Sequence, residues 1–571
     1  MAVVEPTAPE PTGPEPTARQ SHAFEPTVAV PTATEPTQQS LPPIDLTPEE
    51  AELTWEWDDM HTPHALAPLA EDYVGLVATG FGYGFYRLDM PMANPARVWN
   101  GYWYVAFRID APEQRHDELR AELDERAREH MWRAADYWRD IALPELRATR
   151  DWFQGLRVDL LPLDRLADVW EEAWARAQRA WCIHFYAIIG PYQVTDDLAA
   201  FYEKIFEGAP AGEALRLIQG RSVDLQEMAR GLERVVNAAA ADPAVVDYVT
   251  TAAPPTLDDL EGIASAEPFL AELRSFLAEH GHLGGTFDDL ALPSWVEEPS
   301  LLLGDVAKRL VRRQPPVAEI HVRVAAEADE IAGRVRARLA DRPDDLATFE
   351  RLLALGREIG PLTEGHNYWI DRLVQSHLRR FAFATAGRLV QAGVLEATAD
   401  VLYLHRSEVV DVLRAPVGRT ALVAERRALH ERQRAHRPPA IVGKPKEPKP
   451  DSVNRFDGAR FATGDENLLR GTGASAGVAR GIARVVMGPD DFARVAPGEI
   501  IVCPSSNPSW VPLFSVAGGL LTNTGGVLSH AAVVAREFGL PAVVGLKDVT
   551  TRVADGRTVE LDGTTGYVRL L

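Results

Sequence analysis

The sequence predicts a multidomain α+β protein, in which a large, mainly α-helical region is followed by a small α/β domain. Three observations lead to this prediction. From about Pro112 onward, charged helix-forming residues alternate with leucine, alanine and tryptophan at spacings of three and four over roughly 310 residues. A proline- and lysine-rich stretch, Arg437–Asp451, interrupts this pattern. After it, short apolar runs alternate with glycine-containing turns as far as the C-terminus.

These patterns divide the 571 residues into four segments. We predict a tail at 1–45, a helical region at 46–436, a flexible linker at 437–466 and a small α/β domain at 467–571. The tail repeats Glu-Pro-Thr five times, and proline at this density prevents helix and sheet. We therefore expect a disordered, solvated tail, with a docking arm as the alternative.

Composition excludes several classes of protein. Hydrophobic residues make up 46% of the chain, enough for a packed core. The formal net charge of −24 argues against sequence-independent binding to nucleic acid or anionic membranes, which requires basic patches. No window of about 18 apolar residues predicts a membrane span. The two cysteines, Cys182 and Cys503, cannot form a disulfide framework, so we expect a reducing, cytoplasmic setting.

The segment Thr54–His64 combines aromatic and titratable residues. Its histidines, His61 and His64, are candidates for lining a site. A polar loop held by Trp55 and Trp57 is the other interpretation. Metal ligands at recognisable spacing are missing, so no metal site is predicted.

A short β-rich segment is predicted next, at Phe81–Asp110. Its aromatic and β-branched residues favour strands. The dipeptide Asn100-Gly101 is typical of a two-residue hairpin turn.

One predicted helix carries an aromatic face. At 100° per residue, one arc of about 80° holds Trp170, Trp174, Trp181, His184 and Ile188. Such a face is suited to enclosing a flat hydroxylated ring, whose hydroxyl proton the imidazole would take. A helix buried in an all-α core is the alternative.

A second helix carries a charged face. Within about 100° of arc lie Glu364, Tyr368, Asp371, Arg372 and Arg379, whereas His366 and His377 share a different face. Two acids, two arginines and a tyrosine suit an active-site wall or a buried ion network.

The most informative stretch is centred on His530. An apolar strand leads into a tight loop at Thr522–Gly526, and Ser529 stands where a helix N-cap belongs. A helix is predicted over His530–Phe538, ended by Gly539. An imidazole at a helix N-terminus, beside a glycine loop with free amides, is a nucleophile near an anion-binding position. The local chemistry suggests a transiently phosphorylated histidine; a structural capping histidine is the alternative.

The same stretch resembles a known family. Its motifs are Thr524-Gly525-Gly526, His530-Ala531-Ala532, Ala535-Arg536-Glu537 and Gly539-Leu540-Pro541-Ala542-Val543-Val544-Gly545. They are similar to the swivelling phosphohistidine domain of phosphoenolpyruvate (PEP)-utilising enzymes. Among these, the organisation is closest to the phosphohistidine subunit of phenylphosphate synthase and of alkylphenol-phosphorylating systems, and to rifampin phosphotransferase without its ATP-grasp domain.

The resemblance implies roles for individual residues. His530 is the expected phosphoryl acceptor, and the phosphate loop is formed by Thr524, Gly525, Gly526, Ser529 and Arg536. Arg536 either neutralises the phosphate or braces the loop. The flanking segments Gly471–Ser475 and Gly477–Ala483 look like the first hairpin of this domain. Those at Asp562-Gly563 and Gly566–Val568 look like its closing strands.

The helical region resembles the substrate-binding region of rifampin phosphotransferase. The candidates for the acceptor site are His184, Trp181, His61, His64, Glu364, His366, Asp371 and Arg372, and any of the four histidines among them is a candidate general base. His280, His282 and Asp288 are further candidates, or a helix end and its loop.

We recognise neither an ATP-grasp domain nor a PEP-binding barrel in the chain. The resemblance therefore implies a separate ATP-grasp subunit that binds ATP and Mg²⁺ and phosphorylates His530 with the β-phosphoryl of ATP. We expect no cofactor bound tightly by this chain.

Three functions remain open. The first is transfer of the phosphoryl group to a phenol-like hydroxyl of phenol, cresol or an alkylphenol. The second is transfer to an antibiotic or another hydroxylated secondary metabolite. The third is a non-catalytic phosphocarrier or regulatory scaffold. None of them involves nucleic acid or a membrane.

Overall fold

The computed structural model describes residues 41–59, 61–207, 213–252, 254–284, 290–311, 316–445, 467–506, 510–514, 516–526, 529–546 and 548–571. The predicted disordered tail at 1–45 therefore lies almost wholly outside the described residues, as does the candidate Asp288. The predicted fold class is confirmed, because a large helical region precedes a small α/β unit. Among the described helices, none has the length and apolar character that crossing a membrane requires.

A small sheet and a long helix open the helical region. The elements are α1 (Pro48–Ala51), β1 (Thr54–Trp57), α2 (Pro68–Arg87), β2 (Met92–Ala93), β3 (Ala96–Trp99), β4 (Tyr102–Val105) and β5 (Arg108–Ile109). The predicted turn is confirmed, since Asn100 and Gly101 join β3 to β4 with φ values of 53° and 78°. The predicted β-rich segment is wrong over 81–87, which form the last turns of α2.

Helices make up the rest of this region. They are α3 (His116–Met131), α4 (Ala134–Tyr137), α5 (Leu143–Gly155), α6 (Leu163–Ala187), α7 (Ile189–Ile205), α8 (Val223–Ala240), α9 (Pro243–Thr251), α10 (Leu257–Glu261), α11 (Glu267–His280), α12 (Pro299–Val311), α13 (Val317–Arg338), α14 (Pro343–Ile359), α15 (Leu362–His366), α16 (Leu373–Gln391), α17 (Arg406–Arg414) and α18 (Thr420–Arg434). A π-helical segment, Asn367–Arg372, joins α15 to α16.

Helix α6 lies at the centre of the core. Trp170 and Trp174 are fully buried, and the Trp170 ring packs against Phe381 at 5.7 Å between centroids. Helix α2 crosses α6 closely at Gly80, where an added β-carbon would lie 2.6 Å from the carbonyl oxygen of Trp181. This close packing explains why the aromatic end of α2 is helical despite its strand-favouring composition.

Residues of the predicted linker belong to the first sheet. Strand β6 (Ile441–Gly443) pairs antiparallel with β1, so that Val442 lies opposite Trp55 and the strand order is β3-β4-β1-β6. The predicted linker at 437–466 therefore begins with residues that are fixed to the helical region. Its remainder, 446–466, lies outside the described residues.

The C-terminal unit is built on one sheet. Its elements are β7 (Leu468–Arg470), β8 (Thr472–Ser475), β9 (Val478–Val485), β10 (Ile500–Cys503), α19 (Val511–Phe514), β11 (Gly519–Thr522), α20 (His530–Phe538), β12 (Ala542–Val544), α21 (Val549–Arg552), β13 (Thr558–Asp562) and β14 (Tyr567–Leu570). The strand order is β7-β14-β13-β9-β10-β11-β12-β8, and the four strands β9, β10, β11 and β12 are parallel.

The first hairpin and the closing strands predicted in this unit have different outcomes. The closing strands are confirmed, since β13 and β14 pair antiparallel, with Val559 opposite Leu570 and Asp562 opposite Tyr567. The first hairpin is wrong, because β8 pairs with β12, and β9 pairs with β10 and β13. Gly477, at φ 120°, redirects the chain between β8 and β9, which places β8 at the far edge of the parallel strands.

Candidate active site

His530 is the first residue of α20, as predicted. Ser529 precedes it in an extended conformation, and Gly539 ends the helix with φ 60°. The preceding loop turns at Gly525, whose φ of 106° favours glycine. A β-carbon at Gly525 would also lie 2.8 Å from Ser529 Oγ, so the loop can approach the helix this closely only with glycine there.

The polar side chains of Ser529 and Thr524 bind backbone carbonyls near the loop. Ser529 donates its hydroxyl to the Gly526 carbonyl at 2.8 Å and makes no capping bond to the helix. Thr524 donates its hydroxyl to the Pro504 carbonyl at 3.1 Å. The first amides of α20 are therefore not occupied by the side chain at the cap position, which suits a helix end that receives an anion.

Arg536 lies six residues, less than two turns, further along α20. Its Nη1 donates to the Ala474 carbonyl at 3.0 Å, and the side chain is buried. This contact fixes α20 to β8, which favours the bracing role over direct neutralisation of phosphate.

The imidazole of His530 faces the helical region. Its Nδ1 lies 3.1 Å from Glu364 Oε2, across 166 residues of sequence. Both side chains are shielded, with 11% of His530 and 3% of Glu364 exposed. A carboxylate accepts, so Nδ1 donates and Nε2 holds the lone pair. Nε2 is buried and has no hydrogen-bond partner among the described residues.

A second contact joins the same two units. Lys308 of α12 donates its ammonium group to the Phe492 carbonyl at 2.5 Å. Together with the His530–Glu364 contact, it places the C-terminal unit against the helical region with the imidazole directed inward.

Beside Glu364, three further candidates meet. The Nδ1 of His184, on α6, lies 2.7 Å from Asp371 Oδ1, and the rings of His184 and His366 lie 4.5 Å apart at 85°. His366 donates Nδ1–H to the Leu362 carbonyl at 2.6 Å. We call His184, His366 and Asp371 the inner cluster.

The electrostatics of the inner cluster fix its charge states. Burial, and then the neighbouring His184, lower the pKa of His366 to about 4, so that its imidazole is neutral. His530 also contributes to this lowering, which shows that it lies near His366. Burial would raise the pKa of Asp371, but the adjoining His184 holds it below its usual value.

The π-helical segment changes the face that was predicted for a regular helix. Asp371 reaches the inner cluster, whereas Tyr368 points elsewhere and hydrogen-bonds to His280 Nδ1 at 2.8 Å. His366, which we expected on a different face from Asp371, joins it. A π-turn inserts an extra residue, so positions counted at 100° per residue no longer share the predicted arc.

The remaining acceptor-site candidates divide into two groups. Trp181 lies beside the inner cluster, 4.8 Å from the His184 ring between centroids, and Arg372 is buried next to Asp371. His61 instead lies in the loop after β1, where its Nδ1 hydrogen-bonds to Asp58 at 2.7 Å. His64 follows in that loop.

The aromatic face of α6 forms core rather than a pocket, because its tryptophans are buried among other helices. The same loop after β1 is held by tryptophan: the Trp57 indole donates to the Thr62 carbonyl at 3.1 Å. These contacts are the ones that the structural alternatives predicted, a buried helix for α6 and a loop held by tryptophan after β1.

Two cavities adjoin α15. The larger has a volume of about 1500 Å³ and is lined on one side by Arg147, Arg150 and Trp369. The smaller is a narrow gap of about 30 Å³ between α15 and α20, lined by Glu364 and by Val533 and Arg536 of the C-terminal unit. Ser222 and Pro361 line both cavities, so the large cavity extends towards the contact between the two units.

Sequence reasoning missed Arg147, Arg150 and Trp369, which line the large cavity. Both guanidinium groups of Arg147 and Arg150 lie over the Trp369 ring, at 5.5 and 5.8 Å from its centroid. The spacing of three residues on α5 places these arginines on one face, and this was the available signal. His282, predicted as a candidate, also lines this cavity.

Comparison with known proteins agrees with this geometry. Residues 495–566, which include the loop and His530, match the mobile domain of PEP-utilising enzymes. The resemblance to PEP-utilising enzymes is confirmed. Residues 192–364, which extend to Glu364, match the fourth domain of rifampicin phosphotransferase. The two elements that meet at His530 thus each lie in a match to this group of enzymes. After the matched family model, we call residues 467–571, which contain that match, the mobile domain.

Individual relatives extend the comparison. The chain is 28% identical over 556 residues to chondramide synthase of Chondromyces crocatus, covering 92% of this chain and 14% of the relative. It is 28% identical over 400 residues to rifampicin phosphotransferase of Streptomyces sviceus, covering 68% of this chain and 44% of the relative. It is 26% identical over 391 residues to the phosphotransferase YvkC of Bacillus subtilis, covering 68% of this chain and 47% of the relative. The chain spans less than half the length of each of these relatives.

Proposed function

We propose that this chain carries a phosphoryl group on His530 and transfers it to a hydroxyl group of an acceptor bound by the helical region. The observation that carries the proposal is the contact between His530 and Glu364. It holds Nδ1 by a carboxylate and leaves Nε2 buried without a hydrogen bond among the described residues. An imidazole held in this way is oriented for reaction at Nε2.

The chemistry proceeds in two steps. First, the lone pair of Nε2 attacks the phosphorus of the donor, the N–P bond forms, and the bond from phosphorus to the donor's leaving oxygen breaks. Second, the acceptor oxygen attacks the phosphorus, the N–P bond breaks and its electron pair returns to Nε2. Since Nδ1 keeps its hydrogen towards Glu364, the imidazole leaves as a neutral ring. The acceptor's proton passes to Nε2 of His184, whose Nδ1 lies 2.7 Å from Asp371 Oδ1.

The large cavity supports an acceptor larger than a simple phenol. Pockets for drug-sized ligands measure about 300–1,000 Å³, and this cavity of about 1500 Å³ exceeds that range. A phenol or cresol would fill only a small part of it. We therefore favour a hydroxylated secondary metabolite. An alkylphenol remains the second candidate, because Trp138, Trp369 and Phe381 offer aromatic surface in the cavity.

The donor is also part of the proposal. We propose that an ATP-grasp subunit or domain outside this chain supplies the β-phosphoryl group of ATP, with Mg²⁺ bound there. The mobile domain would leave Glu364 to reach that donor and return loaded. The match of residues 495–566 to the mobile domain of PEP-utilising enzymes supports this movement.

Intact-mass measurement tests the carrier role. The full chain is incubated with phosphoramidate, a small chemical phosphoryl donor, and separately with ATP or PEP and candidate ATP-grasp proteins. We expect an acid-labile phosphoryl adduct on the wild type that is absent from His530→Ala. His116→Ala is the matched control, because His116 is also the first residue of a helix, α3, and is partly exposed. An adduct that persists in His530→Ala, or no adduct with any donor, contradicts the proposal.

A further inference from the structure

Three side chains with metal-binding atoms meet beside His530, although they are far apart in the sequence. His184, His366 and Asp371 each offer one ligand atom, and these atoms all lie within 4.8 Å of one another. A cation bound at about 2.0–2.2 Å holds its ligands within about 4.4 Å of each other. Small rotations of the three side chains would therefore bring them into coordination.

The hydrogen bonds around the inner cluster suit metal binding. His366 donates Nδ1–H to the Leu362 carbonyl at 2.6 Å, which directs its Nε2 lone pair away from the backbone. Metal-binding histidines usually donate their second N–H to a carbonyl or carboxylate in this manner. The rings of His184 and His366 are nearly perpendicular, at 85°, so they do not stack, and one nitrogen of each lies within 4.8 Å of the other.

The surroundings also favour a cation. Trp181 and Phe185 close one side of the His184 ring, at 4.8 and 4.5 Å between centroids, and limit access of water. Asp371 is a buried carboxylate of the inner cluster. A divalent cation bound to it would offset its negative charge, which is costly to bury alone.

We propose that His184, His366 and Asp371 bind a divalent transition-metal ion, with zinc as the expected ion. Two imidazoles and one carboxylate are a donor set of zinc and other first-row transition metals. Magnesium and calcium prefer oxygen ligands. Three protein ligands leave at least one coordination position open, which is typical of catalytic rather than structural zinc sites.

The role of the ion rests on the proposed function of His530. An acceptor hydroxyl bound at the open position loses its proton to water more readily, because the cation lowers the pKa of that hydroxyl. The resulting oxygen attacks the phosphorus on Nε2, the N–P bond breaks and the electron pair returns to the ring. Without a cation, the His184–Asp371 pair would act as an oriented general base instead.

Measuring metal binding by the full chain distinguishes a metal site from a general-base pair of His184 and Asp371. The metal-free protein is titrated with Zn²⁺ by calorimetry and with Co²⁺ by absorption spectroscopy, for the wild type, Asp371→Asn and His366→Gln. We expect one ion per chain for the wild type and at least tenfold weaker binding for each variant. His377→Gln is the matched control, because His377 is also buried and donates Nδ1–H to a backbone carbonyl, that of Leu373 at 2.8 Å.

The outcomes are distinguishable from those of the carrier test. A wild type that binds no ion, or variants that bind it as tightly as the wild type, overturn the metal site, and circular dichroism shows whether the variants are folded. Loading of His530 by phosphoramidate is measured on the same samples. A chain that loads but binds no metal loses only this inference. A chain that binds one ion through the inner cluster but never loads loses only the proposed function.

Discussion

The contact between His530 and Glu364 leads to a graded prediction for two substitutions. Glu364→Gln keeps the shape of the side chain and an oxygen that accepts from Nδ1, but removes the charge. Glu364→Ala removes the hydrogen bond altogether. Because Glu364 belongs to the helical region, both substitutions should slow discharge of the phosphoryl group and leave loading of His530 unchanged.

The expected size follows from the kind of hydrogen bond. A hydrogen bond to a charged group contributes about 1.5–3 kcal/mol and a neutral one about 0.5–1.5 kcal/mol. At about 1.4 kcal/mol per factor of ten, Glu364→Gln should slow discharge by about tenfold and Glu364→Ala by up to about 100-fold. The side chains of His530 and Glu364 are only 11% and 3% exposed, so we expect both rate effects at the upper end of these ranges.

The assay is a single-turnover measurement. Each chain is loaded with phosphoramidate and purified, and the loss of acid-labile phosphate is followed with phenol, 4-nonylphenol or rifampicin as acceptor, and with water alone. Glu350→Gln is the matched control, because Glu350 is a half-buried glutamate on the neighbouring α14 that pairs only with Arg336 among the ion pairs of the described residues. Discharge of Glu364→Ala at the wild-type rate would refute our reasoning. So would loading that slows as much as discharge, because Glu364 would then act at the donor rather than at the acceptor.

Three further predictions concern stability. Gly80→Ala should lower the free energy of unfolding in urea by about 1–3 kcal/mol, because the added carbon lies 2.6 Å from the backbone of Trp181. Gly82→Ala, whose added carbon has no atom within 4 Å, should instead raise it by about 0.5–1 kcal/mol. Arg536→Met should lower the free energy of unfolding by about 1–3 kcal/mol, because it removes the hydrogen bond to the Ala474 carbonyl of β8. Unchanged stability would contradict the bracing role. Burial raises the pKa of Glu71 to about 7, so the folded chain binds more protons than the unfolded chain between about pH 4.5 and 7, and this residue makes stability fall as pH rises. Glu71→Gln should therefore raise the thermal midpoint at pH 8 but not at pH 4, with a free-energy gain of up to about 3 kcal/mol at pH 8; an equal shift at both values would show another cause.

The sequence predicted best what depends on local chemistry. The limits of α20 follow from Ser529 before it and Gly539 after it, and both positions have the expected backbone geometry. The turn at Asn100 was also predicted from neighbouring residues alone, and it has the expected backbone geometry. The end of α2, by contrast, was missed, because close packing at Gly80 outweighs the strand preference of the neighbouring aromatic residues.

The candidate site was predicted residue by residue, but not as an arrangement. Glu364 and His530 are separated by 166 residues, and His184 and Asp371 by 187, so no local pattern relates them. The π-helical segment added a second obstacle, since it rotates Asp371 relative to a regular helix. The tryptophan face was ambiguous for a different reason. A helix buried in a core and a helix that lines a pocket carry tryptophans at the same spacing, and α6 is buried.

The pairing of β6 with β1 sets a limit on where His530 can go. Because Gly443 is fastened opposite Thr54, the covalent tether of the mobile domain begins just after it rather than at the end of α18. Residues 446–466 number 21, and even a fully extended chain spans at most about 3.3–3.6 Å per residue, or roughly 70–75 Å. His530 can therefore move away from Gly443 by no more than this length plus the span from Asn467 to His530 within the mobile domain. A donor must present its phosphoryl group inside that radius.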